Sequence, residues 1–175
     1  NQAFAILDAL IETDWKPDTK TLVKHILQWA DAAGAWTNNV LGPSSKAALK
    51  LVKEGKDPSE VTKSALTNGC GMRIAPIGTL YEPKDFDKLI EMVYEVTRIT
   101  HSSDVAISGA AMIAGAVTAA VADYDWNNII EYANEANDAG QHGLHIIRSV
   151  WKSALTLLIG IGVTIKHLVK QFIIL

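Results

Sequence analysis

A chain of 175 residues has the length of one domain able to bury its own core. Its 49% hydrophobic and 20% charged residues are the balance of an ordinary soluble protein. A net charge of −3 argues against a general nucleic-acid binder, which carries clustered Lys and Arg.

Cys70 is the single cysteine, so no internal disulfide can form, and a reducing, cytoplasmic setting is expected. The first segment, NQAFAILDALIE, has no basic start, no small-residue cleavage site and no initiator Met. It therefore reads as the interior of a longer reading frame rather than a secretory leader.

Nearly every segment carries a helical period. Phe4, Leu7 and Ile11, with Ala3 and Leu10, form the apolar face expected of the first helix. Pro17 and Asp18 open a second, with Leu22, Ile26 and Trp29 inward, which fades at Gly34. GAWTNNVLGPSS is a loop by composition. Ser44 and Ser45 are the expected N-caps of KAALKLVKEG, and Gly55 its stop. In DPSEVTKSAL, Asp57 caps and Pro58 occupies the first turn.

The next stretch, TNGCGMRIAPIGTLY (67–81), opens on Asn-Gly, a strong turn dipeptide. Its glycines would also let backbone N–H groups approach an anion. EPKDFDKLIEMVYEVTRIT then forms an amphipathic helix lined by Phe86, Leu89, Ile90, Val93 and Val96. HSSDVAISG leads into an apolar helix from about Val105 to Ala122, DYDW ends it, and NNIIEYANEAND starts another. Gly140 and Gly143 are expected to break the chain before LHIIRSVWKSALTLL.

No run alternates with period two, so the predicted class is all-α. Nine of the 14 residues from Gly109 to Ala122 are Ala or Gly, which lets neighbouring helices approach its backbone closely. The predicted architecture is a single domain over 1–175, an orthogonal multi-helix bundle around this small-residue central helix. Fourteen residues fall short of the roughly 20 that cross a bilayer. The apolar stretch 154–175 is interrupted by Lys166, His167, Lys170 and Gln171. Both read as buried helices, and no membrane partner is expected.

Chemistry-bearing clusters are few. His142 and His145 have a metal-ligand spacing on a helix, but Gly143 lies between them and no acidic or Cys cluster accompanies them. His25, beside Lys24, and His167, beside Lys166, read as solvated. Asp123 and Asp125 read as a solvated helix end, and Glu131 and Glu135 as an acidic face in water. His101 follows Thr100 at a helix end and precedes the Ser-Ser-Asp that caps the central helix. It could offer a ring nitrogen to a ligand or serve the junction structurally. No Ser-His-Asp order, P-loop or GxGxxG is present.

Taken in order, GPSSKAALKLVKEG, TNGCGMRIAPIGTLY and RITHSSDVAISGAAMIAGAVTAAV resemble the ADP-ribosylglycohydrolases, over roughly residues 2 to 158. The family carries a Gly-Pro-Ser/Thr segment, an Asn-Gly-x-x-Met-Arg segment and a Thr-His pair before a small-residue helix. The resemblance implies an all-α hydrolase that cleaves the glycosidic bond between ADP-ribose and a modified acceptor with two Mg²⁺ ions. It places Asn68, Gly69, Cys70, Gly71, Met72 and Arg73 in a substrate loop, His101 near the ligand, and Gly42 and Ser44 in the earlier turn. Backbone N–H groups around Gly69 and Gly71 suit a pyrophosphate. Arg73 could contact a phosphate, or brace the loop by pairing with a buried acid.

The family's metal ligands come from a Thr-Asp-Asp-Thr segment and an Asp-x-Asp-Thr segment, and neither occurs here. No catalytic or metal-ligating residue is therefore assigned, because hard cations need several oxygen ligands. The chain is expected to be incomplete at both ends. A non-catalytic relative that binds ADP-ribose, or that is purely structural, is the alternative reading; a helical interaction protein sharing only the fold is a third. The expected partner is ADP-ribose or an ADP-ribosylated protein. The tail Phe172, Ile173, Ile174 and Leu175 is a candidate for self-association.

Overall fold

The Ala- and Gly-rich segment becomes an 18-residue helix in the computed structural model, which describes residues 2–16 and 18–140. Among the described residues the helices are α1 (Gln2–Glu12), α2 (Thr19–Ala32), α3 (Pro43–Lys53), α4 (Ser59–Lys63), α5 (Ala75–Gly78), α6 (Phe86–Thr97), α7 (Asp104–Val121) and α8 (Trp126–Gly140). Short 3-10 turns stand at Gly71–Arg73 and Pro83–Asp85, and no strand occurs among these residues. The fold is all-α. Pro17, the histidines at 142, 145 and 167, Gly143, the apolar stretch 154–175 and its 172–175 tail lie outside the described residues.

α7 packs against α5, α6 and α8. It starts where predicted: Ser103 is the N-cap and its hydroxyl accepts from the Ala106 N–H. Small residues set how close the neighbours come. A Cβ on Gly115 would lie 2.7 Å from the Ala136 Cβ of α8, and one on Gly78 would run into the Ala114 carbonyl oxygen. Across this contact Thr118 donates its hydroxyl to Gly78 O at 2.8 Å. By length and composition α7 could cross a membrane, yet 61% of that window is buried within the protein, as befits a core helix.

One continuous core gathers Ile6, Leu10, Leu22, Ile26, Leu89 and Val93 with the small residues of α7, each fully or almost fully buried. Burial of each such side chain is worth about 1.5–3 kcal/mol. α2 is capped by Asp18, whose carboxylate accepts from the Thr21 N–H at 2.8 Å. Leu22 and Ile26 are buried as expected, and Trp29 is half-buried. α6 likewise buries Leu89, Val93 and Val96, with Phe86 and Ile90 half-buried.

Four local expectations change. α1 buries Gln2, Ala5, Ile6, Ala9 and Leu10, whereas Phe4 and Ile11 are 64% and 58% exposed. The helix carries two apolar stripes, and the one holding Ala5 and Ala9 admits closer neighbours. α3 begins one turn earlier than expected, with Gly42 as N-cap and Pro43 in the first turn, so neither Ser44 nor Ser45 caps it.

α4 starts at Ser59 with Pro58 as its N-cap rather than in its first turn. Asp57 accepts from the Ser59 N–H at 2.9 Å, and the C-terminal end of the helix bonds to neighbours. Thr62 O accepts from the Ser102 N–H at 2.8 Å, and Ala65 O from the Ser103 hydroxyl at 2.5 Å. Gly140, finally, is helical. A Cβ there would lie 2.7 Å from Ser108 Cα, so this glycine serves helix packing rather than chain breaking.

Candidate ligand-binding site

The Asn-Gly turn folds as its sequence suggests and then tightens. Asn68 O accepts from the Gly71 N–H at 3.0 Å and Cys70 O from the Arg73 N–H at 3.2 Å, which winds the 3-10 turn Gly71–Arg73. Gly69 lies at the bottom of the turn, buried. A Cβ there would sit 2.9 Å from Ser45 Oγ and 3.1 Å from His101 Cε1. Here the missing side chain permits close approach rather than an unusual backbone angle. The turn, the first turn of α3 and the α6–α7 junction therefore converge on one point.

His101 holds that junction. Its N–H closes the end of α6 on Thr97 O at 2.9 Å. Its ring is fully buried, with Nδ1 2.8 Å from Thr100 Oγ1 and Nε2 2.9 Å from Thr67 Oγ1. Burial, and then the Arg73 charge, push its pKa down to about 4. The imidazole is thus neutral at physiological pH. Thr62 and Ser102, their hydroxyl oxygens 2.9 Å apart, clamp α4 to the same junction.

Arg73 is fully buried, and its side chain runs into the protein. Nη1 donates to Gln2 Oε1 at 3.2 Å; Nη2 donates to Val96 O at 3.2 Å and to Thr100 Oγ1 at 2.7 Å. Nε has no partner among the described residues. The arginine does brace the loop, but through neutral oxygens; no acid is paired with it among the described residues, contrary to that part of the sequence reading. Burial lowers its pKa, yet a guanidinium stays charged in proteins.

Of the residues assigned from sequence, Gly69 and His101 meet directly, and Asn68 is exposed at the turn's outer edge. Met72 is 58% exposed. Cys70 points the other way: its thiol donates to Ala106 O of α7 at 3.4 Å, and burial raises its pKa. Gly71 packs toward Ile113 of α7, and its N–H is already committed to Asn68 O. The Gly71 amide is therefore not free for an anion.

Gly42 stands in open space at the start of α3, and Ser44 is half-buried. It is Ser45 from this turn that reaches Gly69. Ser45, Thr67 and Thr100 are the site residues that sequence reasoning missed. Thr100 is the first residue of the Thr-His pair and Thr67 stands next to Asn68, and those positions were the available signal.

Elsewhere, His25 is not simply solvated. Its Nε2 lies 2.7 Å from Glu12 Oε2, and its side chain is 16% exposed. Glu131 and Glu135 are exposed as expected, while Asp125 accepts from the Asn127 N–H at 2.9 Å and so caps α8. No three His, Cys, Asp or Glu residues come together among the described residues in a way that could hold a metal. The donors around Gly69 are hydroxyls, an imidazole and, behind it, a guanidinium; this set does not fit Mg²⁺, which takes carboxylates and waters.

An all-α chain with a glycine turn pressed against a buried histidine defines a helical domain built around a candidate polar-ligand site. The ADP-ribosylglycohydrolase family model matches residues 1–167, and the chain belongs to that family. It is 37% identical over 131 residues to the Uncharacterized protein YegU of Escherichia coli (strain K12), covering 75% of this chain and 39% of that protein. It is 30% identical over 135 residues to an Uncharacterized protein of Archaeoglobus fulgidus, covering 67% of this chain and 43% of that one. The chain thus spans about two fifths of the length of these curated relatives. No solved structure matches.

Proposed function

We propose that the protein supplies the ADP-ribose-holding part of an ADP-ribosylglycohydrolase, a hydrolase that cleaves the glycosidic bond between ADP-ribose and a modified acceptor. The observation that carries this reading is the convergence of Gly69, Ser45 and His101 behind the exposed Asn68 and Thr67. Family membership supplies the substrate class. In this reading Asn68 and Thr67 meet the ligand from solvent. Gly69 keeps the approach open, and neutral His101 holds the wall in place without bringing a charge of its own.

In such a hydrolase a bound Mg²⁺ would activate water. The described residues provide the ligand's wall and not the metal's ligands. The second reading is a binding module without catalysis.

Calorimetric titration of the full chain with ADP-ribose, with and without millimolar Mg²⁺, tests both. Magnesium-dependent binding supports the hydrolase reading, and binding indifferent to Mg²⁺ supports the binding module. No binding in either condition removes ADP-ribose from the account of this chain.

A further inference from the structure

Three hydrogen bonds join Arg73 to the surface. Arg73 Nη2 lies 2.7 Å from Thr100 Oγ1, Thr100 Oγ1 lies 2.8 Å from His101 Nδ1, and His101 Nε2 lies 2.9 Å from Thr67 Oγ1. Counting protons gives the chain a direction. A guanidinium only donates, so the Thr100 oxygen accepts at that end. Thr100 is fully buried and its hydroxyl has one proton to place. Among the described residues its one acceptor within reach is His101 Nδ1.

The opposite direction, with Nδ1–H donating to Thr100, would strand a buried hydroxyl proton, and buried polar groups are rarely left so. Nδ1 is therefore an acceptor, the imidazole proton sits on Nε2, and Nε2–H donates to Thr67. The Thr67 oxygen accepts there with one lone pair, and its own proton has no protein acceptor among the described residues. Thr67 is exposed, next to Asn68 and Gly69.

We propose that Arg73 and Thr100 are positioning residues: they fix His101 as the Nε2–H tautomer and thereby present the Thr67 hydroxyl as a donor to a ligand oxygen that can only accept. That oxygen is a phosphoryl oxygen of ADP-ribose, a step that rests on the function proposed above; the direction of the chain does not. Each bond is polarised by the one behind it, and the first link is a buried cation, so the last donor is strengthened. The low pKa of His101 is consistent with this, since protonating Nδ1 would destroy the acceptor that Thr100 needs.

Nitrogen-detected NMR of the His101 ring in the full chain reads the direction with no ligand present. The expected result is a proton on Nε2 in the wild type, lost or mixed between nitrogens in Thr100→Val and restored in Thr100→Ser. A proton on Nδ1 in the wild type, or an unchanged tautomer in Thr100→Val, overturns the proposal. In titrations with ADP-ribose, Thr67→Val should weaken binding about ten- to a hundredfold, the worth of a hydrogen bond to a charged acceptor. Thr100→Val should weaken it less, with recovery in Thr100→Ser.

Thr67→Val also leaves the His101 Nε2–H unpaired, so Thr67→Ser is its control: keeping the hydroxyl, it should bind ADP-ribose as the wild type does. Unchanged binding by Thr67→Val rejects the donor role. If the wild type binds no ADP-ribose, the function proposed above fails, and the tautomer alone decides whether the relay exists.

Discussion

Acidification should weaken the fold through His101, and the size of the effect follows from its surroundings. The ring is fully buried between two threonines, near a guanidinium, so its pKa falls from 6.5 to about 4. The unfolded chain binds a proton as pH drops through 6.5, whereas the folded chain resists until about pH 4. Between these values the unfolded state holds more protons, so stability rises with pH across that window and is lost as pH falls. From about pH 7.5 to about pH 5 the loss from this one group is about 2 kcal/mol, approaching about 3 kcal/mol below pH 4.

Urea unfolding at a series of pH values measures it, with His101→Gln as the reference. Glutamine keeps a donor near Thr67 but does not titrate. Contributions from every group other than residue 101 are common to both proteins and cancel in the difference. The wild type should therefore lose about 2 kcal/mol more than the variant between those pH values. Parallel pH profiles for the two proteins would mean instead that His101 titrates alike folded and unfolded.

Other expectations follow from single contacts. Gly69→Ala places a Cβ 2.9 Å from Ser45 Oγ and 3.1 Å from His101 Cε1, so a loss of about 1–3 kcal/mol in chemical denaturation is expected, together with weaker ADP-ribose binding. On α1, Ile6→Ala should cost about 2–5 kcal/mol, whereas Ile11→Ala should stay within about 0.5 kcal/mol. Equal costs would mean that the other stripe of α1 faces the core. Ser103→Ala removes the α7 cap and the tie to Ala65 O, and should lower stability by about 1 kcal/mol or more; an unchanged midpoint would deny the cap its role.

Much of the helix inventory is legible in the sequence because periodicity and capping act over one or two turns. Asp18 caps α2 and Ser103 caps α7, and the Leu89, Val93 and Val96 stripe of α6 is buried. A run of Ala and Gly as long as that from 109 to 122 has few uses other than a crowded central helix, and α7 is one. The candidate site was legible as far as its motifs go: Gly69 and His101 do meet. The side chains of Cys70 and Arg73, in the same loop, turn inward instead. A loop's sequence does not say which of its faces is covered.

What the sequence determined by itself, then, is the all-α class, most helix positions and the family, because these depend on local spacing and on motifs in order. Tertiary structure alone decided which stripe of α1 is buried, which neighbours the end of α4 bonds to, and that Ser45, Thr67 and Thr100 surround Gly69 and His101. Arg73 finds Gln2 across 71 positions and His101 finds Thr67 across 34. Partnerships at such separations arise when helices pack, and no local pattern in the chain encodes them.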